Sequence, residues 1–331
     1  MDVYHDSNIW GKSTCEPKLT ALNVNRSFLW DKQDILIPAV YVGKAGAVLD
    51  VCAKIPIENM KAFLKKWDVN RRLSLKTQEE YEQINADNPG SREFTVNMSL
   101  DHTALVHRMS SSMRWYPKEL FQMENANPDN EEQWQNNKQA EKWMDTYGCD
   151  RKCCWYFKRL SYDWKDEPIL SPQELSLAFQ ADLITVITGH FTTDGSCNGE
   201  TVKTVHPVTG QEYTLTLHGC EQTRHSFEDT GANGVIYPEY CQILSYSITP
   251  EIGRSLFDVL DCTESDQPRI GDAQIESGPS TIFLARKSAA LDKKMAASSM
   301  HFKPVSKVEW RMAFQIKPKE DVEISFPIKN F

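Results

Sequence analysis

The chain predicts a mainly β protein, with two β-sandwich or jelly-roll-like domains and a few peripheral helices. Three observations carry that reading. Val308, Trp310, Met312, Phe314 and Ile316, then Val322, Ile324, Phe326 and Ile328, fall on alternate positions, the period of a strand with one buried face. Between them Lys317–Asp321 supplies a polar turn containing Pro318, so the pair is expected to form an antiparallel hairpin. Further short runs at 183–187, 201–205, 213–217 and 244–248 recur at sandwich-like spacing. At 331 residues the chain exceeds the roughly 250–300 at which single cores stop growing, so two domains are expected. They are 1–170, β-rich with covering helices, and 171–331, sandwich-like, divided in the stretch Pro168–Pro172.

Taken in order, Ile35–Val42 and Ala47–Ala53 are apolar runs of strand length around Gly43-Lys44-Ala45-Gly46, the glycines of a tight hairpin. After Pro56, the residues Ile57, Met60, Phe63, Leu64 and Trp67 repeat at three and four, an amphipathic helix. Thr77 with Glu80 forms a capping box for a second helix, which Asn88-Pro89 stops. Phe94, Val96, Met98 and Leu100 alternate with polar residues, a half-buried strand turning at Asp101–Ala104. The polar stretch 123–147 contains Trp134, Trp143, Met144 and Tyr147 in a broken helical pattern, an insertion with a helix of about four turns. Tyr156–Trp164 favours a strand, whereas Ser171–Glu174 suits either a strand start or a short helix cap.

Forty per cent hydrophobic and 25% charged residues are globular values, and the uncharged apolar runs fall well short of the roughly 18 residues that span a bilayer. Residues 1–10 hold two aspartates and no Lys, Arg or apolar stretch, unlike a secretory signal. Nine cysteines, an odd number without regular spacing, fit free thiols in a reducing compartment, so a cytoplasmic location is expected. A net charge of −9 opposes the field that gathers nucleic acid, and the densest basic stretch, Lys65-Lys66 with Arg71-Arg72, is short. No nucleic-acid or membrane partner is expected; a small-molecule or protein ligand is.

Metal-ligand side chains concentrate in His190, Cys197, His206, His218, Cys220, Glu221 and His225. Imidazole and thiolate suit zinc. On a hairpin turning at Val208-Thr209-Gly210, His206 and His218 lie about 20 Å apart, so they cannot share an ion. The surviving candidate set is His218 and Cys220, two apart and expected on one strand face, with Glu221 or His225 looping back and His190 arriving from a neighbouring strand. Against it, Thr214 and Thr216 share the face of His218, which is the setting of an ordinary surface histidine.

Cys149, Cys153 and Cys154 lie near Arg151, Lys152 and Lys158, charges that depress a thiol pKa, yet the spacing is not C-x-x-C, and buried inert thiols are the simpler reading. No G-x-S-x-G elbow, G-x-G-x-x-G or phosphate-binding G-x-x-x-x-G-K-[ST] occurs. Asp258, Asp261, Glu264, Asp266 and Asp272 lack the order of a calcium loop and read as a solvated acidic stretch. Among nine tryptophans, Trp67 and Trp310 belong to core faces, whereas Trp10, Trp115, Trp134 and Trp155 are candidates to line a groove. The function expected is ligand binding or protein interaction. The alternative is a zinc- or iron-dependent enzyme centred on His190, His218, Cys220 and His225.

Overall fold

A computed structural model describes residues 1–6, 8–9, 17–67, 77–90, 93–123, 131–225, 235–253, 255–270, 273–274 and 293–328. Among the described residues the protein is mainly β, with nineteen strands in antiparallel sheets and four helices. No helix among them is long and apolar enough to cross a membrane. Trp10 and Asp272 lie outside the described residues.

The first strands are β1 (Thr20–Trp30), β2 (Gln33–Val42) and β3 (Gly46–Ile55). The hairpin expected around Gly43–Gly46 joins β2 to β3 and is closed by a 3.0 Å bond from the Gly43 N–H to the Gly46 carbonyl. Helix α1 (Ile57–Trp67) buries Met60 and Phe63, as its stripe predicts. Helix α2 (Gln78–Asp87) opens on the capping box: the Glu80 N–H donates to Thr77 Oγ1 at 3.2 Å and the Thr77 N–H to Glu80 Oε2 at 3.0 Å. Strands β4 (Phe94–Leu100) and β5 (Thr103–Ala104) turn through Asp101 and His102, both at positive φ. Then follow β6 (Val106–Trp115), α3 (Lys118–Met123), α4 (Glu131–Tyr147), β7 (Cys154–Asp163) and β8 (Glu174–Ala181). Glu174 therefore starts a strand and does not cap a helix.

The next long strands are β9 (Ile184–Thr193), β10 (Thr201–Val205) and β11 (Glu212–Arg224). After the short β12 (Val235–Ile236) come β13 (Tyr240–Thr249) and β14 (Phe257–Asp261). The chain closes with β15 (Arg269–Ile270), β16 (Ala273–Gln274), β17 (Lys294–Ala297), β18 (Val308–Ile316) and β19 (Val322–Pro327).

Two compact units result. The first comprises Met1–Lys76, Ile84–Leu183 and Lys317–Phe331; the second comprises Thr77–Gln83 and Ile184–Ile316. In the first, a five-stranded sheet ordered β1-β2-β3-β7-β6 and a four-stranded sheet ordered β19-β8-β4-β5 contribute to one apolar cluster. Ile35, Leu49, Tyr156 and Leu160 from one sheet meet Phe94, Val96, Leu177 and Phe179 from the other. Each such side chain contributes on the order of 1.5–3 kcal/mol by leaving water. The other face of the five-stranded sheet is covered as well: Trp143 and Met144 of α4 pack with Trp115, Trp155 and Phe157, and Val3 and Leu19 pack with Tyr41 and Val48. Covered on both sides, β3 and β7 are buried along nearly their whole length.

In the second unit, sheets ordered β14-β18-β9 and β10-β11-β13-β17 share a cluster of Trp310, Met312, Phe314 and Phe257 with Tyr213, Leu215, Leu217 and Leu244. A small third sheet is ordered β12-β15-β16. The acidic stretch serves the backbone: Asp261 accepts from the amides of Thr263 and Ser299, and Asp266 from that of Phe302, each at 2.8 Å.

The terminal hairpin is corrected. β18 pairs with β14 and β9, whereas β19 pairs with β8, so Lys317–Asp321 carries the chain from one sheet to another. Alternation identifies a strand and its buried face but carries no information about its partner.

Candidate functional site

Pro38 sits in the middle of β2, where it has no N–H to give to either neighbouring ladder. Register slips on both sides of it, between Asn23 and Arg26 of β1 and between Leu36 and Val40 along β2. The inward parity changes accordingly: Ile35 and Ile37 face the shared core before the slip, Val40 and Val42 after it. Asn25 takes a left-handed φ of 43° at the same place, which asparagine tolerates better than most residues. A β-bulge of this kind bends the strand and re-aims side chains.

Beside the slip lies a half-open groove of about 670 Å³, within the usual range of small-molecule sites. Asn23, Asn25, Arg26, Tyr41, Thr146 and Tyr147 supply its polar lining, and Met1, Ala21, Val24, Pro38, Ala39 and Pro327 its apolar lining. Arg26 is exposed and has no ion-pair partner among the described residues.

Under one wall of the groove runs a buried polar network. Asp50 and Arg159 are direct cross-strand neighbours of β3 and β7, on the face covered by α4. The guanidinium grips the carboxylate with two parallel bonds, Nε to Oδ1 at 2.8 Å and an Nη to Oδ2 at 2.7 Å, the bidentate geometry that offsets burial of both charges. Asp50 is 0% and Arg159 4% exposed. Trp143 lies over the guanidinium, 4.6 Å from ring centroid to its carbon, and Met1 Sδ receives another of its N–H groups at 3.4 Å.

The Tyr147 hydroxyl donates to Asp50 Oδ2 at 2.5 Å and lies 2.8 Å from the Tyr41 hydroxyl. Its one proton is committed to the carboxylate, so Tyr41 is the donor of the second bond, and lone-pair capacity of the Tyr41 oxygen remains. Burial pushes both phenols above their ordinary range, and the Asp50 charge adds to the shift. Groups held so firmly protonated cannot serve as bases near neutrality; they are hydrogen-bonding surface. Neighbouring charges in the same unit pair separately: Lys158, on the opposite face of β7 from Arg159, donates to Glu93 at 3.2 Å and to the Phe94 carbonyl at 2.6 Å.

The expected metal set is not drawn together. His190 on β9 is bonded to Glu79 Oε2 at 2.9 Å. His218 lies at a bulge of β11 where register slips between Leu217 and Gly219, and it meets Ser247 Oγ at 2.9 Å. The slip reverses the parity, so Cys220, expected on the face of His218, packs instead against the core, its thiol donating to Gln242 Oε1 at 2.8 Å. The His225 backbone N–H donates to the Glu239 carbonyl at 2.8 Å. Among the described residues no three His, Cys, Asp or Glu side chains converge on one point.

Trp115 and Trp155, candidates for a groove, are buried beneath α4. The sequence did not single out Asp50, Arg159, Tyr41 or Pro38, and it marked Tyr147 only as part of a helical pattern. Three of them carry a local signal: an aspartate inside the run AVLDVCA, an arginine inside YFKRLSYDW and a proline inside ILIPAVYV. A charge in a buried strand demands a partner, and a proline there demands a bulge.

No family model matches the chain, and no curated protein or solved structure does.

Proposed function

We propose that the protein binds a small amphipathic ligand in the groove beside the Pro38 bulge. One observation carries the reading: a groove of small-molecule size is walled by rigidly held phenols and has a cation, Arg26, without an internal partner among the described residues. A ligand with an acidic or strongly accepting end would meet Arg26, Asn23 and Asn25, and its apolar body Met1, Val24 and Pro327. The raised phenols favour binding over acid–base chemistry, because they stay protonated.

With this reading goes a domain organisation in which each unit is a sandwich-type domain, its two larger sheets packed face to face on a shared cluster. It also takes a cytoplasmic location, supported by the free state of the eight described cysteines, and no nucleic-acid partner, supported by the net charge of −9.

The test is a thermal-shift screen of small amphipathic carboxylates, sulfonates and phosphate esters. A ligand at one hundred times its dissociation constant adds about 2.7 kcal/mol of stability, an upward shift that is easily read. Ala21→Trp fills the groove from an exposed position and Arg26→Ala removes its cation. A compound that stabilises the wild type and neither variant supports the proposal. Compounds that stabilise all three alike bind elsewhere, and the proposal then fails.

A further inference from the structure

We propose, on the reading that the groove beside Pro38 is the ligand site, that its ligand is an amphipathic anion with a hydroxyl group at the end remote from its charge, and that Tyr41 selects for that hydroxyl by presenting an oxygen that can only accept. The direction of the hydrogen bonds along the wall carries this. Arg159 has only N–H donors, and Asp50, gripped by it at 2.8 and 2.7 Å, is a carboxylate that only accepts. Tyr147 therefore points its proton at Asp50 Oδ2, 2.5 Å away, and the Tyr41 hydroxyl, 2.8 Å from that of Tyr147, points its own at the Tyr147 oxygen. A phenol has one proton, so both are committed within the wall. What Tyr41 and Tyr147 offer to the groove they line is oxygen lone pairs. A carboxylate or ether oxygen set against them meets repulsion, whereas a hydroxyl donates to them.

The ladder of β1 and β2 leaves room for such a group. Ala21 stands directly opposite Tyr41, and Asn23 opposite Ala39. Cross-strand partners share a face, so two alanines leave space beside the phenol, with the Asn23 amide diagonal to Tyr41, about 7–8 Å away. Tyr41 is 4% exposed, so a ligand that covers it without donating leaves an acceptor cut off from water, which is costly. Arg26 stands at the other end of the groove. It pairs with Ile37, and Tyr41 follows Ile37 by four positions on β2, about 13 Å along the strand at roughly 3.3 Å per residue. Charge and hydroxyl are thus met at opposite ends, with the body of the ligand crossing the Pro38 bulge between them. A merely apolar groove prefers methyl to hydroxyl at the far end; the fixed acceptors reverse that order.

The experiment titrates the full-length protein by calorimetry with ω-hydroxyalkanoates of graded chain length, beside the alkanoate in which methyl replaces the hydroxyl and the corresponding ω-methoxy acid. At the best-fitting length the hydroxy acid is expected to bind about five- to tenfold more tightly than its methyl counterpart, with the methoxy acid weakest. Arg26→Ala and Ala21→Trp should weaken all three, and Tyr41→Phe should remove most of the hydroxyl preference. Should Tyr41→Phe fail to fold, the rank order in the wild type still decides. Acids that bind the wild type and lose affinity in Arg26→Ala and Ala21→Trp, yet show no hydroxyl preference, overturn the assignment to Tyr41 and leave the groove as the ligand site. A preference that survives undiminished in Tyr41→Phe does the same. Failure of every acid to bind overturns the ligand class, and binding indifferent to Arg26→Ala and Ala21→Trp overturns it together with the groove reading.

Discussion

Tyr147, in the last turn of α4, donates its hydroxyl proton to Asp50 Oδ2 on β3 at 2.5 Å, and Arg159 occupies the same carboxylate from β7. One buried charge pair thus ties a helix to two central strands. Removing one member strands the other. Arg159→Met is expected to cost about 3–5 kcal/mol, and Asp50→Leu a similar amount, whereas the double variant should recover most of the loss because an apolar pair leaves no uncompensated charge. Chemical denaturation of the four proteins measures this. Strictly additive losses would contradict the pairing.

The same network makes a prediction about alkaline pH. The Tyr147 phenol lies above the ordinary phenol range in the folded protein, so on folding it keeps a proton that the unfolded chain sheds above about pH 10. Stability linked to this group is therefore complete below pH 10 and falls as pH rises above it, by up to about 1.4 kcal/mol per pH unit. Tyr41 shifts the same way, and Tyr156, pushed up to about 12 by burial, adds to the slope between pH 10 and 12. Tyr147→Phe should flatten the decline of stability above pH 10. An unaltered slope in that variant would rule the tyrosine out as its source.

Much of this fold is written in short-range pattern. The stripe of α1, the capping box of Thr77 and Glu80, and the alternation through Trp310 and Phe314 all report local periods, which the chain carries without knowledge of its neighbours. Partners are another matter. Asp50 and Arg159 meet across a register set by whole strands, and nothing near β18 tells that it pairs with β9 and not with β19. The bulge at His218 shows how small a slip suffices, since one extra residue puts Cys220 on the opposite face. Pro38 marks the middle ground: the proline is visible in the sequence, but the groove beside it requires β1 and α4 to be in place.

Gly46 permits the N-terminal segment to lie close on β3. A Cβ built there falls 2.1 Å from the Tyr162 carbonyl oxygen and 2.2 Å from His5 Nε2, and His5 is itself bonded to that carbonyl at 3.0 Å. Gly46→Ala is expected to lower stability by about 1–3 kcal/mol, as overpacking does. Limited proteolysis should then cut the first residues faster than in the wild type. Equal cutting and equal melting temperature would refute the close approach.

Trp310 is 0% exposed, and its indole N–H donates to Thr193 Oγ1 at 2.8 Å across β18 and β9. Trp310→Ala removes the largest fully buried side chain of the second unit and is expected to cost about 3–5 kcal/mol through the cavity it leaves. Thr193→Val keeps the volume and deletes only the acceptor, so about 1–3 kcal/mol is expected, the penalty of an unsatisfied buried donor. A smaller loss for Trp310→Ala than for Thr193→Val would place the indole outside the core.

His218 tests the metal alternative most directly. Its ring meets Ser247 across β11 and β13, and Cys220 has turned to the core, so His218→Ala removes a half-buried hydrogen bond worth about 0.5–1.5 kcal/mol and is expected to leave metal content unchanged. Elemental analysis of wild type and variant, both purified without a metal-affinity tag, measures the second quantity; denaturation measures the first. One equivalent of zinc or iron in the wild type that is lost in the variant, with a stability loss of several kcal/mol, would mean that His218 and its partners converge on an ion in solution. In that case the groove beside Pro38 would no longer be the first place to look for function.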